Sequence, residues 1–254
     1  MRMDLIFWVA LFGLILYQPA SAQLVNPDPS WMSTTVSCDS VPITETDWIA
    51  GVSPGVDPIE IPLFNPNLGI LMQVDITVKN CVYQTAGFEN MASAPDSFST
   101  ETGAEIYTTL LDGSTQIISV VKEGPTPYTL PAFDNIVDYA GDSGISYILD
   151  RCGTDGHSIV APAEIADYIA TLPGETKQLP TESVGYTSLR SAGNINAEVL
   201  TSAGAEVCVT YYYIPCDDGI FCNGAETSNG VTCQPGTPVN CDDGIDCTAD
   251  SCNE

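Results

Sequence analysis

The chain has 254 residues, of which 6 are Lys or Arg, 33 are Asp or Glu and one is His, a formal net charge of −27. So few cations cannot neutralise a phosphate backbone, which excludes nucleic acid as a partner, and an anionic membrane surface would repel the chain. Hydrophobic residues still make up 44%, enough to build a core rather than leave the chain disordered.

In chain order, Met1-Arg2-Met3-Asp4 leads into an apolar run from Leu5 to Tyr17 and then Ala20-Ser21-Ala22. A basic start, a short apolar stretch and a small-x-small ending make residues 1–22 a secretory signal peptide, cut after Ala22. The run is shorter than the roughly 20 apolar residues of a membrane span. No later stretch is apolar enough, so no integral membrane span is expected after cleavage. The expected location is extracellular or at the cell surface. Residues 23–35 form a leader to the folded part.

The ten cysteines agree with export, because an even number in an exported chain reads as disulfides. Zinc would need Cys-x-x-Cys or Cys/His pairs, which the spacing lacks, and His157 stands alone. We pair Cys38 with Cys208 and Cys81 with Cys152. Cys216, Cys222, Cys233, Cys241, Cys247 and Cys252 crowd into the C-terminal segment, and spacing alone does not choose their partners.

Residues 36–214 read as an all-β domain, an antiparallel β-sandwich of jelly-roll-like kind. Ile70, Met72, Val74, Ile76 and Val78 alternate with more polar neighbours, the period of a half-buried strand. Ile106 to Leu111 runs into Asp112-Gly113 and on to Gln116–Val121, a hairpin signal, because Asp-Gly tolerates positive φ. Ile145–Leu149 is a further strand, and Pro162–Ala170 has room for two helical turns with Pro near their start. Glu206–Ile214 closes the domain with Val207, Val209, Tyr211 and Tyr213 on one face.

Residues 215–254 form a separate, acidic, cysteine-rich segment, with no Lys or Arg after Arg190. Cys216-Asp217-Asp218-Gly219-Ile220-Phe221-Cys222 recurs as Cys241-Asp242-Asp243-Gly244-Ile245-Asp246-Cys247. A segment this short cannot bury enough apolar surface to fold alone, so cross-links must supply most of its stability, about 2–4 kcal/mol each.

Several stretches, in order, resemble the choice-of-anchor E domain, a family of exported, mostly bacterial β-rich domains. They are Thr46-Asp47-Trp48, Ile61 to Gly69, Phe88-Glu89-Asn90, Ala132 to Gly144, and the alternating end Ala203–Tyr213. Asn135 departs from the family's more frequent Gly, and Cys38, Cys81, Cys152 and Cys208 are additions to its pattern. The resemblance implies a surface or secreted protein whose attachment signal varies among members. The C-terminal segment is similar to Cys-Asp-Asp-Gly repeats of bacterial extracellular proteins. Those repeats often have Cys where Ser228 stands, and Cys252-Asn253-Glu254 stops in mid-repeat, which implies a truncated end.

Three groups could carry chemistry. Gly141-Asp142-Ser143-Gly144 copies the nucleophile loop of chymotrypsin-like proteases, but the only His follows the Ser, so no triad in that order can be assembled and a Gly-flanked turn is expected. Asp134, Asp138 and Asp142 recur every four residues among turn-forming neighbours. Turn capping is expected of them first, calcium ligation second, and paired-carboxylate hydrolysis by Asp134 and Asp138 last. Asp242, Asp243, Asp246 and Asp250 make the better calcium candidate, though Cys247 sits where an EF-hand loop needs Gly. Trp31, Trp48 and Tyr211–Tyr213 could stack on sugars, but Trp48 and alternate tyrosines are expected in the core.

The expected function is therefore a non-catalytic, disulfide-stabilised structural or adhesion protein with no catalytic residues and no required cofactor. Its partner would be an unidentified surface, matrix or glycan component. The alternative is a calcium- or glycan-binding module, and a carboxylate-based hydrolase ranks last. Scarce His, Lys and Arg leave few bases or anion-stabilising groups for catalysis.

Overall fold

Alternating apolar residues make strands along most of the chain, and the computed structural model describes residues 32–191, 193–240 and 242. The expected signal peptide and nearly all of the second Cys-Asp-Asp-Gly repeat lie outside those residues. In order come β1 (Ser33–Glu45), β2 (Glu60–Pro62), β3 (Gly69–Asn90), β4 (Asp96–Thr109), β5 (Gln116–Leu130) and β6 (Gly144–Ile159). Then follow a helical turn α1 (Pro162–Ile165), β7 (Thr176–Gln178), β8 (Thr181–Ser191), β9 (Ile195–Pro215), β10 (Thr227–Ser228) and β11 (Cys233–Gln234). Among the described residues strand makes up 60% and helix 6%. A four-stranded sheet ordered β1-β9-β3-β6 faces a three-stranded sheet ordered β5-β4-β8, with small two-stranded pairs β2-β7 and β10-β11. The fold is an all-β sandwich.

Its core lies between the two sheets. Val74, Ile76, Val78 and Val82 of β3, with Val207, Val209 and Tyr211 of β9, pack against Ala104, Ile106, Ile117 and Val121 of the smaller sheet. A second cluster, Ala86, Phe88, Phe98 and Leu130, fills the far end. Polar side chains cross between the sheets as well, with Thr102 Oγ1 3.0 Å from the Tyr147 hydroxyl. Asn80 is fully buried, and its Nδ2 donates to the carbonyls of Ala104 and Ser119, 3.1 Å from each. Trp48 lies in the core with Nε1 donating to the Ala203 carbonyl at 3.1 Å. Tyr211 is buried as well, its hydroxyl donating to Pro62 O at 2.7 Å. Trp31 lies outside the described residues.

The alternation read from the sequence breaks at one point. The register of β3 against β9 shifts between Leu71 and Gln73, so Leu71 turns inward and Met72 is left 40% exposed. A bulge inserts one unpaired residue, and with a side-chain period of two that exchanges the faces. One boundary differs too. Ser33, Thr34 and Thr35, assigned to the leader, already pair with Tyr213, Tyr212 and Tyr211. The C-terminal segment touches the sandwich, where Ser228 Oγ donates to Gly69 O at 2.8 Å and Leu71 N–H donates to Gly230 O at 3.1 Å. No helix among the described residues is long and apolar enough to cross a membrane.

The Asp112-Gly113 hairpin forms with a loop wider than two residues, spanning 110–115, and Gly113 supplies φ 71°. Burial works against the Asp112 carboxylate, but hydrogen bonds from the hydroxyls and backbone N–H groups of Thr115 and Ser114 outweigh it and hold its pKa down at about 2. A depressed folded-state pKa stabilises the fold above the ordinary value of 3.8, and that stabilisation is lost as pH falls through about 2. The loop is exposed, and screening leaves a contribution of about 1 kcal/mol or less. Asp112→Asn should lower the melting temperature at neutral pH by a few degrees and flatten the loss of stability between about pH 4 and about pH 2, read by thermal melting across a pH series.

Candidate functional site

The outer face of the four-stranded sheet concentrates the groups of interest. Because Ala86 and Phe88 point inward, Gly87 and Glu89 of β3 point outward, and residues 131–143 fold over them. Asn90 anchors this loop. Its Nδ2 donates to Pro131 O at 2.6 Å and Ala94 O at 2.9 Å, and its N–H donates to Ser143 O at 2.8 Å. Tyr139 lies against Gly87, where an added Cβ would stand 2.7 Å from the ring's Cγ. Its N–H donates to Glu89 Oε2 at 2.9 Å, and its hydroxyl accepts from Asn196 Nδ2 at 3.3 Å. Tyr139 has φ 54°, a conformation that a bulky side chain adopts only when its surroundings hold it there. Glu89 is fully buried beneath, and its Oε1 makes no hydrogen bond.

Beside Tyr139 runs an open groove of about 520 Å³ lined by Thr85, Asp138, Ser146, Ile148 and Glu198. It offers carboxylates, hydroxyls and the rings of Tyr139 and Tyr147, with no Lys, Arg or His. Such a lining suits a neutral or cationic polar ligand and repels an anion.

Two of the acids singled out in this loop, Asp134 and Asp138, are turn caps. Asp134 Oδ1 accepts the Ile136 N–H and Asp138 Oδ1 accepts the Ala140 N–H, each at 2.9 Å. These are Asx turns, in which an Asp side chain mimics the backbone of a turn. Ser143 is fully buried, and its Oγ accepts the Asp134 N–H at 3.3 Å. His157 pairs with Ile76, far along β3 from Asn90, which Ser143 touches. At roughly 3.3 Å per residue they lie about 45 Å apart, so Ser143 and His157 cannot act on one substrate.

In the C-terminal segment, Asp243, Asp246, Asp250, Cys241, Cys247 and Cys252 lie outside the described residues. Asp242 is described, with its N–H donating to Asn240 Oδ1 at 3.0 Å. The first repeat, not the second, supplies the acid cluster seen among the described residues. Asp217, Asp218 and Glu226 each bring a carboxylate oxygen within 4.8 Å of the others. Glu226 Oε2 accepts the Asp218 N–H at 3.3 Å, and Asn223 Nδ2 donates to Asp218 Oδ2 at 3.0 Å. The disulfide Cys216–Cys233 folds Glu226 back toward the Asp pair. The sequence carried a weak signal of this, since the position 25 residues after Glu226 is Ser251. Three hard oxygens are half or fewer of those a calcium ion takes, so backbone carbonyls or water would complete its shell.

The structure joins Cys38 to Cys208 and Cys81 to Cys152, each pair directly opposite on neighbouring strands with Cα atoms 4.0 Å apart. Cys222 is disulfide-bonded as well. Both sandwich bridges lie on the outer face, one tying edge strand β1 to β9 and the other tying edge strand β6 to β3. Most cations are engaged in ion pairs. Lys79 meets Glu206, Lys122 meets Glu105, Arg151 meets Glu123 and Lys177 meets Glu175. Lys122 also lies 3.9 Å from the Tyr186 ring centroid, and Tyr107, whose hydroxyl donates to Glu105, is pushed up to about 12 by that bond and then by burial.

No family model matches this chain, and no curated protein matches it. Among solved structures it is similar to T=1 particles derived from infectious bursal virus, at 13% identity and TM-score 0.19, over 84% of this chain and 41% of that one. It is also similar to the VP2 subviral particle of infectious bursal disease virus, at 11% identity and TM-score 0.18, over 77% of this chain and 42% of that one. The chain thus spans less than half the length of either, and at such TM-scores the likeness establishes neither fold nor function.

The contact between Gly87 and Tyr139 is testable. Gly87→Ala should drive Tyr139 off the sheet and free residues 131–143, costing about 1–3 kcal/mol as overpacking does. Limited proteolysis should then cut within 131–143 faster than in the wild type, with an unchanged far-ultraviolet spectrum.

Proposed function

We propose that this protein is exported and acts as a non-catalytic structural or adhesion component at or outside the cell surface. The observation that carries the reading is the position of the two sandwich disulfides, which staple both edge strands of the larger sheet to its inner pair. Such bonds persist in oxidising compartments and are rare in the cytosol. An open edge is a template for unwanted pairing, and fixing it covalently suits a protein that works at high density outside the cell. The leader sequence and the resemblance to choice-of-anchor E domains support the same reading, and the large negative charge keeps copies dispersed. Asp134, Asp138 and Ser143 serve the turns of one loop, and the single His lies remote from them, which favours a role without turnover. The partner is a surface, matrix or glycan component.

Mass spectrometry of protein from the producing cells tests this. The mature chain should begin at Gln23, occur in the extracellular or surface fraction, and release free thiols only after reduction. Cytosolic protein with the leader intact and all thiols free would overturn it.

The cluster of Asp217, Asp218 and Glu226 favours a second reading, in which the C-terminal segment binds calcium. A ligand of the native state stabilises it by mass action, about 2.7 kcal/mol at a hundredfold excess over Kd. Millimolar calcium should therefore raise the melting temperature, and Asp217→Asn with Glu226→Gln should abolish the rise. An equal rise in that double variant would remove the site from consideration.

A further inference from the structure

We infer that the Cys38–Cys208 bridge gives this protein a mechanical function, carrying tension between its two ends so that the sandwich cannot be pulled open. The inference deepens the surface role proposed above and rests on it for its biological setting. Strands β1 and β9 are antiparallel neighbours with Ser33 opposite Tyr213, so the chain enters and leaves the sandwich at the same end. Force between the two ends therefore acts across the β1–β9 ladder at its open end. Antiparallel hydrogen bonds lie perpendicular to the strands, so this force loads them one at a time rather than together. That is the weakest way to load a ladder. β1 is an edge strand held on one side only, whereas β9 is bonded on both sides, so β1 is the strand that peels.

Peeling is short. Ser33, Thr34, Thr35, Val36 and Ser37 separate from their partners, and the next pair is Cys38 with Cys208. There a covalent bond replaces hydrogen bonds, and the bridge spans a sequence separation of 170. Nearly the whole sandwich, including its core and the outer-face groove, lies inside that loop and feels no tension. Cys81–Cys152 closes a separation of 71 wholly within it. The two bridges thus have different duties despite identical local geometry. Cys38–Cys208 carries load, and Cys81–Cys152 fastens an edge strand that is never loaded.

Single-molecule stretching of the mature chain, held by handles at its two ends under oxidising conditions, tests this. The wild type should show no unfolding step from the sandwich beyond the short peel, and Cys81→Ala with Cys152→Ala should behave the same. Cys38→Ala with Cys208→Ala should unfold in a long step. That step should release the separation of 170 less the 71 still closed by the second bridge, about 99 residues. At ~3.6 Å per residue it lengthens the chain by about 350 Å. Removing both pairs should raise the release to about 600 Å by the same measure. A long step in the oxidised wild type, or in the variant lacking only Cys81 and Cys152, would overturn the inference, and both arms decide it even if the Cys38/Cys208 variant does not fold. Cytosolic localisation would defeat the surface role and leave these traces unchanged, so the two failures are distinguishable.

Discussion

The antiparallel ladder between β3 and β9 is the constraint on which the rest of the molecule depends. It runs from Gly69 opposite Pro215 to Asn90 opposite Ile195, the full length of both strands. One face carries Val74, Ile76 and Val78 beside Val207 and Val209, none of them measurably exposed. At roughly 25 cal/mol per Å² of buried apolar surface, that shared stripe supplies a large part of the driving force for packing the second sheet. Asn80 then fixes how the sheets meet, because its amide reaches carbonyls on both β4 and β5. A neighbouring apolar residue could pack there without preferring one alignment, whereas a buried amide has to find partners.

The opposite face of the same ladder decides where covalent and polar chemistry can sit. Period-two geometry places Cys81 and Cys208 on the outside as firmly as it places their neighbours inside. Each faces a cysteine on an edge strand, so both edge strands of the larger sheet are held by disulfides. The acidic surface acts in the same direction. Four cations are already held in ion pairs, so the outer faces present carboxylates with little compensation. Copies of the protein repel one another, and that charge discourages edge pairing between copies.

Much of the fold was legible because strands leave a strong local mark. The alternation in Val207, Val209 and Tyr211 and the Asp112-Gly113 turn need only the chain's own stereochemistry. The bulge at Met72 left no such mark, since one unpaired residue changes the pairing without changing the composition. Burial of Glu89 and Asn80 was equally silent, because nothing local tells a strand that a loop will cover its outer face or that a facing sheet will offer two carbonyls. The capping roles of Asp134 and Asp138 were legible from their turn-forming neighbours. The grouping of Asp217 and Asp218 with Glu226 was not, because it depends on how Cys216–Cys233 folds the segment back.

By itself the sequence determined the class of the molecule, with its signal-like start, its strands, its acidic surface and its cysteines. Those are properties of composition and of short-range periodicity. Only the tertiary structure decided that the first and last strands of the sandwich are neighbours, which sets Cys38 opposite Cys208 and brings the start of β1 and the end of β9 to one pole. It also decided that Tyr139 closes over Gly87 to shape a groove. Strand order and loop docking are set by long-range packing of one buried face against another, and residues far apart in sequence carry no local trace of whom they will meet.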